Sequence, residues 1–95
     1  MSGVILKVAG VNFHLVEFKQ AEVKPGDAVA LMPDPTNAYD PNAIKVVKRG
    51  LHIGFIPRGW TADVREALED GFIVVVESCT ARGCAIRFVA PEDTI

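Results

Sequence analysis

"AIKVVKRGLHIGFI", residues Ala43–Ile56, is the stretch whose reading decides the fold. Its first half, Ala43–Lys48, is rich in β-branched residues, which suit a pleated, half-buried surface. Arg49 and Gly50 form a tight-turn pair, and Leu51–Ile56 returns as a second apolar run. Together they predict an antiparallel hairpin. Gly54 lies inside the returning strand, which predicts a bulge or a close approach of another backbone. Pro57 ends the hairpin.

On the C-terminal side, "TADVREALED" predicts the one main helix, over about residues 60–70. Thr61 is the expected N-cap, Asp63 sits favourably in the first turn, and Gly71 is the expected C-cap. Trp60, Val64, Ala67 and Leu68 share one apolar face. Arg65 and Glu69 are spaced to pair on the wet face. "FIVVVESC" and "CAIRFVA" then form a last hairpin around "TARG".

On the N-terminal side, Gly3–Ala9 reads as a strand broken by Gly10. Val11–Phe18 alternates loosely and reads as a second strand with one wet face. Lys24–Asp27, "KPGD", is a turn, and Ala28–Met32 is a short buried strand. The sum is about six mostly antiparallel strands and one helix. A mainly-β domain spanning residues 1–95 is expected, built as a small closed β-barrel of OB-fold-like or SH3-like type with the helix covering it.

Composition narrows the function classes. The chain is 49% hydrophobic and 23% charged, an ordinary globular balance. The longest uncharged apolar run, Phe72–Val76, is far too short to cross a membrane. "MSGVILKVAG" lacks the basic start and long apolar core of a signal peptide, so an intracellular, cytoplasmic location is expected. A net charge of −2 argues against coating nucleic acid by bulk charge, but leaves room for a local basic patch from Lys45, Lys48 and Arg49, with Arg58 nine residues on. Cys79 and Cys84 face each other across a hairpin mouth. A disulfide is open to them if the geometry suits, and free thiols are expected in an intracellular chain. With only His14 and His52 besides, no zinc-ligand spacing exists.

The connection between Met32 and Ala43, "PDPTNAYDPN", is longer than a strand connection requires. Asp34 and Asp40 are candidates for acid–base chemistry, but no His or Cys stands near them in sequence. Both also fit as turn-capping residues. Asp34, Asn37 and Asp40 do not follow the alternate-residue ligand spacing of an EF-hand. No nucleophile elbow, P-loop or dinucleotide turn is present, so no catalytic residue, metal or cofactor is expected. Tyr39 has two readings. Its ring caps the core with the hydroxyl in water, or it is a stacking platform beside basic side chains, as in single-strand binders.

"DPTNAYDPNAIKV" followed by "IGFIPR", with the earlier "VAGVNF", resembles the HIRAN domain from about Lys7 to Phe88. That family occurs at the N-terminus of certain helicase-like DNA-repair ATPases and as short separate proteins in bacteria and phages. The resemblance implies a β-barrel related to the OB-fold that binds the 3′ end of single-stranded DNA. Aromatics stack on the terminal bases and an Asp accepts a hydrogen bond from the 3′-hydroxyl. Carried onto this chain, the implied nucleic-acid-binding set is Phe13, Asn37, Tyr39, Asp40, Phe55, Arg58 and Phe88. Asp40 takes the end-reading role, Arg58 meets a phosphate, and Phe88 is the aromatic of the last strand. This chain departs from the family pattern at Asn12, where a basic residue is expected, at Phe13, which lacks a tyrosine's hydroxyl, and at Phe55, which replaces a polar residue.

The expected function is a non-catalytic, single-stranded-DNA-binding module, alone or with an ATPase recruited in trans. The alternative is a protein-interaction adaptor that uses Phe13, Phe55 and Trp60 as a partner-binding patch.

Overall fold

The computed structural model describes residues 1–93. In chain order the elements are β1 (Ile5–Lys7), α1 (Leu15–Ala21), β2 (Ala30–Pro33), β3 (Ile44–Lys48), β4 (Leu51–Phe55), α2 (Thr61–Glu69), β5 (Ile73–Thr80) and β6 (Gly83–Val89). Single 3₁₀ turns at Val11–Phe13, Arg58–Trp60 and Pro91–Asp93 complete the described chain.

The expected β3–β4 hairpin is present, with Lys48 opposite Leu51. Arg49 and Gly50 both take positive φ, 55° and 76°, which is what the two central residues of a type I′ turn require. The register slips between Val46 and Val47, because Val46 faces Gly54 while Val47 faces His52. Ile53 is the extra residue of that bulge. It is wholly buried.

Gly54 is where the chain crowds most. A Cβ on Gly54 would lie 2.5 Å from Val8 Cγ1 and 2.6 Å from the Ala9 carbonyl oxygen. That missing atom lets the end of β1 lie on β4. Ala9 and Phe55 then exchange two backbone hydrogen bonds, each 2.8 Å.

The closed barrel is corrected to two three-stranded antiparallel sheets, ordered β1-β6-β5 and β2-β3-β4. They meet along two seams. One is the Ala9–Phe55 bridge and the other is the bridge from Ala28 to Val75. Hydrogen bonds from Val76 N–H to Asp27 O and from Val29 N–H to Val74 O extend the second seam. Each seam is short because Gly10 turns the chain away after β1 and the turn at 24–27 delivers it late to β2. Between the sheets lie Ile44, Val46, Ile53, Val74, Val76, Ile86 and Phe88, with Val64 and Ala67 of α2 and Phe18 of α1 closing the core.

The expected strand over Val11–Phe18 is instead a 3₁₀ turn and α1. Val11, Phe18 and Ala21 are buried and Leu15 half-buried, which is helical spacing along one face. A run this short fits either period. Leu, Glu, Lys, Gln and Ala are strong helix formers, and they tip it. In α2, Thr61 is the first helical residue rather than the N-cap, and its hydroxyl donates to the Arg58 carbonyl at 3.2 Å. Gly71 takes φ 85° just past Asp70, and Phe72 N–H reaches back to Ala67 O, the expected left-handed termination. Arg65 does not pair with Glu69. It donates through Nη2 to the Asn42 carbonyl at 3.0 Å. Cys79 and Cys84 are direct cross-strand partners and are free thiols, and burial, aided by Cys79, pushes Cys84 up to about 11. Among the described residues no helix is long and apolar enough to cross a membrane.

The start of α1 is tied to β4 by a ring cluster. His14 and His52 have centroids 4.2 Å apart, and Phe55 stands edge-on to His52 at 4.6 Å. Burial holds His52 below its ordinary value of 6.5, with further repulsion from His14 and Lys45, against the opposing hydrogen bond to Gly54 O and the pull of Asp34.

Two predictions arise here. Gly54→Ala forces a Cβ against backbone and lowers the unfolding free energy by about 1–3 kcal/mol, the usual cost of overpacking, read as a lower urea midpoint at unchanged m-value. An unchanged midpoint would remove Gly54 from its place at the seam. The second concerns pH. The folded state gives up the His52 proton more readily than the unfolded chain does. The stability due to neutral His52 is therefore complete above about pH 6.5 and is lost as the pH falls below it. The stability gap between the unmutated protein and His52→Gln, from urea titrations, narrows from pH 7.5 to pH 5.5. A constant gap refutes the assignment.

Candidate nucleic-acid interface

The loop between β2 and β3 is folded by its own polar side chains. Asn37 Oδ1 accepts the backbone N–H of Tyr39 at 2.9 Å and that of Asp40 at 3.0 Å. Asn37 Nδ2 donates to Asp34 Oδ2 at 3.2 Å. Asp40 Oδ1 accepts the N–H of Asn42 at 2.9 Å. Across the loop mouth, Asp34 N–H bonds to Ala43 O at 2.8 Å. These are local side-chain-to-backbone bonds of the kind Asx residues make in turns. Their result is a stiff loop whose tip residues have fixed directions.

Arg58 ties this loop to the chain just after β4. Its Nη2 donates to the Tyr39 carbonyl at 3.1 Å and its Nε to Asp40 Oδ2 at 3.4 Å. The Tyr39 backbone is thus held at both its N–H and its C=O. Tyr39 is nevertheless 92% exposed, so its ring does not cap the core. Asn37, Tyr39, Asp40, Phe55 and Arg58 line one hollow of about 260 Å³, floored by Ala9, Ala43 and Ile56. The Asp40 side chain is largely sheltered there, 19% exposed, while Arg58 is 75% exposed.

The other two expected residues fare differently. Phe13 is 82% exposed but does not line the hollow. It follows Gly10, whose φ of 72° starts the 3₁₀ turn, and a Cβ on Gly10 would touch the Phe55 ring at 3.7 Å. The turn that presents Phe13 therefore rests on the hollow's Phe55. Phe88 is a correction. It is fully buried between the sheets, because β6 turns Cys84, Ile86 and Phe88 inward together, so its ring cannot meet a base. The room that net charge left for a basic patch at Lys45, Lys48 and Arg49 is narrowed by ion pairs. Lys48 faces Asp27 at 3.7 Å and Arg49 faces Glu22 at 3.9 Å, so these cations are paired at the hairpin end.

Chemically, the hollow offers an aromatic face at Tyr39, a half-buried ring at Phe55, one carboxylate and one cation. Asp40 has one bond to each oxygen, and a carboxylate oxygen accepts two, so it has room for one more donor at each. Ala9, Ala43 and Ile56 were not legible as site residues. Small apolar side chains carry no chemical signal, and only the Ala9–Phe55 bridge brings Ala9 to the loop. Among the described residues no group of three or more His, Cys, Asp or Glu side chains is placed to hold a metal ion.

Comparison with known proteins agrees with this architecture. The HIRAN domain profile matches residues 4–88. A Fanconi-associated nuclease 1 homolog of rice (Oryza sativa subsp. japonica) is 34% identical over an alignment of 76 residues, and the match covers 76% of this chain and 7% of the rice protein. The crystal structure of the HIRAN domain of human HLTF superposes with a TM-score of 0.68 at 22% identity, over 97% of this chain and 79% of that one. A Lactobacillus plantarum protein gives a TM-score of 0.70 at 19% identity, over 92% and 91%. At those identities the two structures are a likeness of fold. The profile match, which takes in nearly the whole described chain, carries the assignment: this chain belongs to the HIRAN domain family.

Proposed function

We propose that this domain is a non-catalytic module that binds single-stranded DNA and reads its 3′-hydroxyl end. One observation carries the reading: an exposed tyrosine on a pinned backbone, beside a sheltered carboxylate. An exposed ring contributes little to folding, whereas a fixed ring is a ready platform for a base, worth about 1–3 kcal/mol per base stacked. Tyr39 takes the terminal base and Phe13, on the neighbouring turn, takes another. Asp40 accepts a charge-assisted hydrogen bond from the 3′-hydroxyl and repels a phosphate at the same place. Arg58 holds the Tyr39 carbonyl through Nη2 and, being mostly in water, offers its Nη1 to the last phosphodiester without leaving that carbonyl. Asn37 positions Tyr39 and Asp40 and does not itself touch the strand. Membership of the HIRAN family supports a DNA ligand. The rice relative's nuclease activity is not carried over, because the match spans 7% of that protein.

The adaptor alternative is weaker. Phe55 lines the Tyr39 hollow, whereas Trp60 lines a separate one with Asp63, Glu66 and Asp70, so the expected aromatic patch is divided. An ATPase acting in trans remains compatible with the DNA reading.

Fluorescence anisotropy with short oligonucleotides tests the mechanism. The unmutated protein binds a 3′-hydroxyl end at least about tenfold tighter than a 3′-phosphate end, the worth of one charge-assisted bond. Asp40→Asn, which keeps an acceptor for Asn42 N–H, brings the two affinities together. Equal affinity of the unmutated protein for both ends overturns the end-reading mechanism. Asn37→Ala frees two loop amides and weakens both ends by a similar factor, about tenfold, leaving the preference intact. A selective loss for the hydroxyl end would instead put Asn37 in contact with the strand.

A further inference from the structure

A second concavity, of about 450 Å³, adjoins the Tyr39 hollow and has no part in the reading above. Its lining includes Lys7, Ala9, Gly10, Asn12, Pro57 and Arg82. Ala9 lines both concavities. Ile56 borders one and Pro57, the next residue, the other. The two therefore meet at Ala9, beside the Ala9–Phe55 bridge, and the second is bordered by Gly10, Val11 and Asn12 of the turn that presents Phe13. Lys7 and Arg82 are exposed, and among the described residues neither forms an ion pair. Among the described residues no acidic side chain lines this concavity. The contrast with the rest of the surface is sharp. The chain's net charge is −2, and the Trp60 hollow carries three carboxylates.

Resting on the end-reading proposal, we infer that this groove is the track of the same DNA strand, in which Lys7 and Arg82 neutralise phosphates 5′ of the bound terminus. Two free cations without a competing carboxylate suit a polyanion. Glycine and alanine at the floor let a sugar–phosphate backbone approach closely. The Ala9 wall shared with the Asp40 hollow sets the polarity: the 3′ end lies at Asp40 and the strand leaves over Ala9 and Pro57. Asn12, which also borders the groove, adds a neutral amide and no competing charge.

The test compares a trinucleotide with a ten-nucleotide strand, both ending in a 3′-hydroxyl, on the whole protein and on Lys7→Gln/Arg82→Gln. Both side chains are exposed, so an unchanged urea midpoint is expected for the double variant. The ten-nucleotide strand binds the unmutated protein at least about tenfold tighter than the trinucleotide at low salt. The double variant loses that gain and keeps the trinucleotide affinity and the 3′-hydroxyl preference. Its plot of log affinity against log salt for the long strand is shallower by about 1.4, the single-strand slope for two phosphates. A length gain that survives in the double variant overturns the groove assignment. So does a polyglutamate peptide that displaces the long strand's extra affinity as well as DNA does. A trinucleotide that binds without any gain from length overturns the groove alone, whereas no binding of either strand overturns the end-reading proposal with it.

Discussion

The absence of one side chain at Gly54 sets the geometry on which the rest depends. β1 can lie against β4 only because nothing projects from Gly54 toward Val8 and the Ala9 carbonyl. That approach makes the Ala9–Phe55 bridge, and the bridge makes one of the two seams between the sheets. It also makes the floor of the candidate site. Ala9 and Phe55 line the hollow together, and Phe55 supports both the Gly10 turn below Phe13 and the histidine pair at the start of α1. A core contact and a surface pocket thus share one cause.

Above that floor the β2–β3 loop keeps its shape with polar bonds instead of burial. Asn37 satisfies two amides, Asp40 one, and Arg58 holds a carbonyl from across the site. Such bonds are individually modest, about 1 kcal/mol net. Together they leave the loop few alternatives, and this accounts for its density of Asp and Asn. The prolines at 33, 35 and 41 restrict the chain further. The loop is long because it must carry Tyr39 out to water and still return Asp40 to the pocket wall.

Electrostatics here is a matter of which cations are already committed. Lys48, Arg49 and Arg87 face carboxylates, and Arg58 shares its charge with Asp40. Net charge says nothing about this division. A chain at −2 can still present a short positive track, provided its acids lie elsewhere, as they do along α2.

Much was determined by the sequence alone. Both hairpins, the main helix, the Gly54 close approach and the composition of the site loop are local facts, set by side-chain period, turn chemistry and the glycine pattern. "DPTNAYDPNAIKV" and "IGFIPR" carried the family, and residues 37, 39, 40, 55 and 58 do converge. The alternation over Val11–Phe18 does not reveal the short helix at Leu15–Ala21, because a run of so few residues satisfies both periods. Helix propensity tips the balance locally, and packing on β4 fixes which face is buried. Tertiary structure alone decided that Phe88 belongs to the core, that Lys48 and Arg49 are spent on partners, that the sheets stay two and that Ala9 joins two concavities. Each of these depends on which surface a residue meets across the chain, and no local pattern of residues encodes that.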